Sequence, residues 1–264
     1  MKDPSGKHHD HHRCPLFRKS WSDKLRDIFF CFHVSSSQRK CRRLDAKLEK
    51  KMIEAHQRKL ASNGNNSFKS MNSLILKFPQ IRQGLKQVRH LFIEYDEDSN
   101  GVIDINELRR CLNKYHLQIH LEEEELDDVF SSCDMNGIKG IQLKEFIAVL
   151  CLIYVLKSKL GVAELESTFE IIVEAFLFLD KNGDGKLNKK DVIKSLNEDF
   201  RWERSSMHVI TNRFKEMDWA DRDGNVSFRE FLFSLINWVG IIDLHEEEDE
   251  DDNEEQTIHV IHVD

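Results

Sequence analysis

No stretch of this 264-residue chain is apolar for long enough to cross a bilayer. The longest apolar run, Phe146 to Leu156, has eleven residues, about half of the ~20 that a membrane-spanning helix needs. It reads instead as a buried helix. The six cysteines, at 14, 31, 41, 111, 133 and 151, show no paired framework. Cys111, Cys133 and Cys151 fall on helix-facing positions, as small core residues of a reducing compartment would. The first thirteen residues are polar and His-rich, unlike a secretory leader, so a cytoplasmic location is expected, with peripheral membrane association as an added option. The chain offers no phosphate-cradling glycine loop, no nucleophile motif and no kinase catalytic motif, and it reads as a non-enzyme without catalytic residues. Nor does a nucleic-acid-binding motif accompany its basic residues, so no nucleic acid is expected as a partner.

What is present is charge, unevenly spread. Residues 1–70 carry 17 Lys and Arg against 7 Asp and Glu, whereas residues 71–264 carry 22 against 40. Such a chain suggests an appendage that meets either an anionic membrane surface or the protein's own acidic body. Within the basic part, Leu16, Phe17, Trp21, Leu25, Ile28, Phe29 and Phe32 recur at roughly helical spacing, with Arg18, Lys19, Lys24 and Arg26 between them. This basic amphipathic helix fits a membrane surface, a helical target segment or permanent packing on the body. In the lipid case Cys31 is an acylation candidate, with a buried thiol ranked ahead of it. A second basic helix carries Leu44, Leu48, Met52, Ala55 and Leu60, and the linker Ser62 to Ser67 closes an extension spanning residues 1–67. Residues 243–264 form an acidic tail, acidic at nine of ten positions from Glu246 to Glu255, which reads as disordered and solvated.

Between these ends lies Asp96-Glu97-Asp98-Ser99-Asn100-Gly101-Val102-Ile103-Asp104-Ile105-Asn106-Glu107. Asp96, Asp98 and Asn100 alternate as oxygen donors, Val102 offers its backbone carbonyl, and Asp104 and Glu107 complete the set. A hard cation takes six to eight oxygens, so this spacing describes the twelve-residue calcium loop of an EF-hand. Gly101 stands where the chain must turn sharply. Phe92 and Tyr95 phase an entering helix, and Asp104 with Glu107 caps a leaving one.

The pattern recurs three times. A second loop, Asp134 to Glu145, keeps Asp134, Asn136 and Glu145 but has Ile138 and Lys139 at positions 5 and 6; it reads as structural. The third offers Asp180, Asn182, Asp184, the Lys186 carbonyl, Asn188 and Asp191. Asp191 is one methylene shorter than the usual glutamate, which shifts the preference from Ca2+ toward six-coordinate Mg2+. In the fourth, the entering helix is phased by Phe214 and Met217 to a loop beginning at Asp218. Asp221, Asp223, Gly224, Asn225, Ser227 and Glu230 fit a loop beginning one residue later. One extra residue, Ala220 or its neighbour, is therefore expected to displace Asp218 and leave a weaker site. Deleting Ala220 is then expected to restore Asp218 to position 1.

These motifs resemble the plant calmodulin-like EF-hand proteins, in particular the longer members with an N-terminal extension. The likeness covers roughly residues 45–240, and the lead-in Phe68 to Pro79 shares it. It implies a cytosolic calcium sensor without chemistry of its own. The expected fold is all-α: two lobes of paired EF-hands, 68–159 and 160–242, with short two-stranded ladders between loops and a helical N-terminal extension. A sensor that opens on Ca2+ and binds a protein target ranks first, and a calcium buffer or calcium-responsive regulatory subunit without large opening second. Only six methionines are present, so the helix faces suit few targets rather than many.

Overall fold

Four helices each end at an acidic loop, and those ends set the plan of the molecule. A computed structural model describes residues 37–62, 68–114, 121–197 and 207–240. The predicted helix Leu16 to Val34, the His-rich tract and the acidic tail lie outside the described residues. In chain order the helices are α1 (Ser37–Ala61), α2 (Met71–Ile75), α3 (Phe78–Tyr95), α4 (Ile105–Lys114), α5 (Glu123–Cys133), α6 (Leu143–Lys157), α7 (Ala163–Leu179), α8 (Lys189–Asn197), α9 (Met207–Met217) and α10 (Phe228–Val239). Pro79 opens α3, where its missing N–H costs nothing. Two short strands, β1 (Leu187–Asn188) and β2 (Asn225–Val226), complete an all-α fold.

The loops pair as the repeat predicts, but unequally. Loops three and four share an antiparallel ladder that pairs Leu187 with Val226. Loops one and two share a single bridge, in which Ile103 and Ile141 exchange backbone hydrogen bonds of 2.8 and 2.9 Å. Apolar side chains at these positions are buried, which holds the register of each pair.

The two pairs do not stand apart. Helix α6 is apolar on every side, and from Phe146 to Leu156 each residue but Tyr154 is buried, because α3, α5, α7, α10 and α1 surround it. Phe92 meets Phe146 edge-on at 5.7 Å in the first pair, and Phe176 meets Phe228 and Phe231 at 5.3 and 5.5 Å in the second. Arg82 of α3 donates twice to the Val239 carbonyl at the end of α10, which ties the first hand to the last.

Helix α1 belongs to this shared core. Leu44, Leu48 and Met52 are buried against α5, α6, α7 and α10, whereas Leu60, in the last turn, is 68% exposed and departs from the expected apolar phase. Ile75, in the lead-in, is also half-exposed. Cys111, Cys133 and Cys151 are buried thiols, and burial pushes Cys133 and Cys151 above the ordinary thiol range, as inert core residues require.

Gly84 lets α3 and α7 approach closely. A Cβ there would lie 1.9 Å from Thr168 Oγ1 on α7, and Thr168 is itself buried. Alanine is the better helix former by about 1 kcal/mol, yet Gly84→Ala is expected to destabilise by about 2 kcal/mol through overpacking. Urea unfolding of the single variant and of Gly84→Ala/Thr168→Ala checks it. The double variant should recover part of the loss, because it removes Oγ1 but leaves the Cβ of residue 168 at 2.9 Å.

Candidate metal centre

Each loop starts the same way. The position-1 amides of Asp96, Asp134, Asp180 and Asp218 donate to the carbonyls of Phe92, Phe130, Phe176 and Phe214, each at 2.9 Å. Each helix thus closes its last turn on the acid that opens the loop, and the phenylalanine four residues earlier anchors that turn in the core.

In the first loop, Asp96 then accepts from the amides of Asn100 and Gly101, at 3.0 and 2.9 Å. Glu107 folds back across the loop, accepting from Glu97 N at 3.2 Å and Asp104 N at 2.8 Å. The result gathers Asp96, Asp98 and Glu107, with ligand oxygens within 4.8 Å of one another. Asn100 and Asp104 flank them. Asp104 accepts from Asn106 and Glu107 and so caps α4 as well.

The second loop has the same wrap without the donors. Glu145 accepts from Met135 N and Gln142 N, and Lys139 takes a left-handed φ of 62° where glycine is usual. That conformation costs a non-glycine residue about 1 kcal/mol. Ile138 is half-exposed and offers no oxygen, so this loop brings fewer ligands than the first.

The third loop folds around Asp180, which is fully buried and accepts from Gly183 N and Gly185 N at 2.9 Å each. Asn182 donates to Asp184 at 2.7 Å, and Asp191 holds the near amide of Asn188 at 3.2 Å. Among the described residues its carboxylates do not gather as those of the first loop do. Asn182 stands at position 3, where the first loop has Asp98, so positions 1, 3 and 12 carry two carboxylates here rather than three.

The fourth loop corrects the expectation that Asp218 is displaced. Asp218 Oδ2 accepts from Gly224 N at 3.2 Å, as position 1 does in the other loops, and Asp218, Asp221 and Asp223 come together within 4.8 Å. The extra residue is taken up at Trp219 instead. Trp219 N donates to Met217 O, so that Ala220, not Trp219, supplies the amide that Glu230 accepts at 3.0 Å. The indole leaves the loop: its Nε1 donates to Glu230 O, and its ring meets Phe233 edge-on at 5.9 Å and the Arg229 guanidinium at 5.5 Å. Deleting Ala220 would therefore pull Trp219 from this seat rather than restore a missing ligand.

The donor sets fit a hard divalent cation. Burial pushes the carboxyls of Asp180, Asp191, Asp218 and Glu230 above the usual range, and lifts Glu145 to about 7 against two amide hydrogen bonds. Asp218 Oδ1 is buried without a hydrogen-bond partner. At Asp218 that unpartnered oxygen is short of a countercharge, which a cation would supply.

One contact escaped sequence reasoning altogether. Helix α1 lies along the third loop: Lys186 pairs with Glu49 at 3.1 Å, and a Cβ at Gly185 would stand 2.6 Å from the Glu49 carbonyl oxygen. A Cβ at Gly101 would meet nothing within 4 Å. Both glycines have φ near +80°, so alanine should cost about 1 kcal/mol at either from backbone strain alone. Gly185→Ala must also push α1 off the loop, and about 3 kcal/mol in total is expected. Parallel thermal unfolding of the two variants checks this, and equal losses would mean that α1 is not seated there.

Comparison with known proteins follows the same geometry. An EF-hand domain pair family matches residues 85–151, and an EF-hand family matches residues 172–194. The probable calcium-binding protein CML22 of Arabidopsis thaliana is 49% identical over 224 residues, covering 81% of this chain and 95% of that protein. The probable calcium-binding protein CML21 of the same plant is 46% identical over 206 residues, 75% of this chain and 86% of its own length. A calcium-dependent protein kinase of rice, number 3, is 26% identical over 167 residues, 63% of this chain but 28% of the kinase.

Proposed function

The chain belongs to the plant calmodulin-like EF-hand proteins, and from that premise we propose that it is a calcium sensor whose loop occupancy governs the binding of a protein target. The gathering of Asp96, Asp98 and Glu107 in one loop is the observation that carries the reading. Asn100, Asp104 and the Val102 carbonyl would complete that set. Asp180, Asn182, Asp184, Asn188, Asp191 and the Lys186 carbonyl would serve the third loop. Asp218, Asp221, Asp223, Glu230 and the Asn225 carbonyl would serve the fourth. The bound ion would supply positive charge to carboxylates that the fold has already partly desolvated. What the chain's own residues contribute is the wrap: the position-12 side chain joins the start of the leaving helix to the start of the loop.

Target binding is the finer part of the proposal. The apolar faces of the two hand pairs lie against each other and against α1, so a target gains access only if these helices separate. That enclosed arrangement also suits the second reading, a buffer that binds without opening. Calcium-dependent exposure of apolar surface to a hydrophobic dye separates the two: a sensor brightens the dye, and a buffer leaves it unchanged.

Isothermal calorimetry tests the sites. Asp96→Ala is expected to remove one Ca2+-binding event, because it deletes a charged donor and the acceptor for two loop amides. Undiminished stoichiometry would overturn the assignment. Titration of the same variant and the native chain with Mg2+ tests whether the third loop prefers the smaller ion.

A further inference from the structure

Helix α1 sits in its seat by three parallel stripes. The central stripe is apolar: Leu44, Leu48 and Met52, four residues apart and fully buried. On one flank the side chains are cations facing the acidic helix α5. Lys40 pairs with Asp127, Arg43 with Glu124 and Asp128, and Lys47 with Glu125. On the other flank they are anions facing the second hand pair. Asp45 accepts both Nε and Nη2 of Arg229 at 3.0 Å, and Glu49 pairs with Lys186 of the third loop. The Asp45–Arg229 contact is the buried one, with the Arg229 side chain 6% exposed. Arg229 is held in turn by the ring of Trp219, the residue that the fourth loop takes in beyond the usual twelve. The departure of that loop from its pattern therefore builds part of the seat.

A groove that is anionic along one wall, apolar along its floor and cationic along the other wall reads the orientation of a helix as well as its face. We propose that this groove is the protein's binding site for an external helical segment, and that α1 is a resident occupant which such a segment exchanges with. The partner's chemistry follows from the walls. It is an amphipathic helix with apolar residues at i, i+4 and i+8, cations on one flank, and a carboxylate one residue after the first apolar position, facing Arg229. A uniformly basic helix would leave Arg229 without its carboxylate and oppose it with like charge. The inference deepens the proposed target binding, yet the groove and its test do not depend on calcium.

The probe is a labelled synthetic peptide spanning Ser37 to Ala61, added to the full-length chain and followed by fluorescence anisotropy. The native chain, with its own α1 seated, is expected to bind it weakly. The full-length Asp45→Ala variant should bind it at least about tenfold tighter, because the resident helix is loosened and the peptide brings the carboxylate that Arg229 has lost. The melting temperature of that variant should rise on adding peptide. A peptide carrying Asp45→Ala should lose the gain. Equal affinity of the native and variant chains, or of the two peptides for the variant, would overturn the proposal. So would concentration-dependent dimerisation of the variant without peptide that peptide cannot reverse, since the occupant would then be a second copy. Where Asp45→Ala fails to fold, Lys40→Ala/Arg43→Ala loosens the other flank, and the same order of affinities is expected. Each titration is run with calcium and with chelator. Absence of calcium dependence counts against the sensor, and absence of peptide binding counts against the groove.

Discussion

Phe176→Ala is expected to lower the stability of the folded chain by about 4 kcal/mol, in the upper part of the range for truncating a buried phenylalanine. Phe176 is fully buried. Its ring lies edge-on to both Phe228 and Phe231, so one truncation leaves a cavity bordered by two more aromatic side chains that cannot both collapse into it. The position also joins fold to site. Its carbonyl accepts the amide of Asp180, which opens the third loop, and its ring fixes where α7 meets α10. Chemical denaturation followed by circular dichroism measures the loss. Phe176→Leu keeps most of the volume and should cost below about 1.5 kcal/mol. A loss under about 1 kcal/mol for the alanine variant would mean that α10 does not rest on this ring.

The second large effect is expected at Asp45. Asp45→Ala should cost about 3 kcal/mol, because it leaves the Arg229 guanidinium buried without its carboxylate. Partial exposure of Asp45, at 25%, keeps the figure at the lower end of the range for broken buried pairs. Coulombic attraction and hydrogen bonding to Asp45 hold the Arg229 guanidinium above even the ordinary arginine range, overcoming the opposing effect of its burial. Removing both charges is a different matter. Asp45→Leu/Arg229→Met should recover much of the loss, since apolar groups of similar volume can replace a buried pair at little cost. By contrast Lys40→Ala, whose pair with Asp127 is open to solvent, should change stability by less than about 1 kcal/mol. Melting temperatures of the four chains give the comparison. If Lys40→Ala and Asp45→Ala cost the same, the Arg229 contact is not the anchor of α1.

Several expectations from the sequence failed for one reason: they treated a residue as though only its neighbours in the chain mattered. Trp219 is the clearest example. Ligand spacing correctly detects one residue too many in the fourth loop, and the natural inference is a displaced Asp218. The structure keeps Asp218 with Asp221 and Asp223 because the surplus leaves the loop through the indole, which finds Phe233 and Arg229 outside it. The third loop differs from the fourth. Its donors stand where the pattern puts them, with Asn182 in place of the first loop's Asp98 and donating to Asp184. Gly185 is similar, since position 6 asks for glycine on backbone grounds alone, and nothing nearby in sequence reveals that Glu49 presses on it.

What the sequence by itself determined are the four helix–loop–helix units and their order. The information is local: a phenylalanine one turn before each loop, donors at alternate positions, and a carboxylate that caps the leaving helix, all within about sixteen residues. The buried character of α6 was equally legible, because an apolar run with no polar face has nowhere else to go. The tertiary structure alone decided that α1 lies in the shared core of both hand pairs rather than beside them. Its partners stand far away in the chain, Asp127 at 87 residues from Lys40 and Arg229 at 184 from Asp45. Its cationic and anionic flanks are a plain alternation of charges until α5 and α10 stand opposite them. Charge becomes specific only when a second surface fixes which flank it faces.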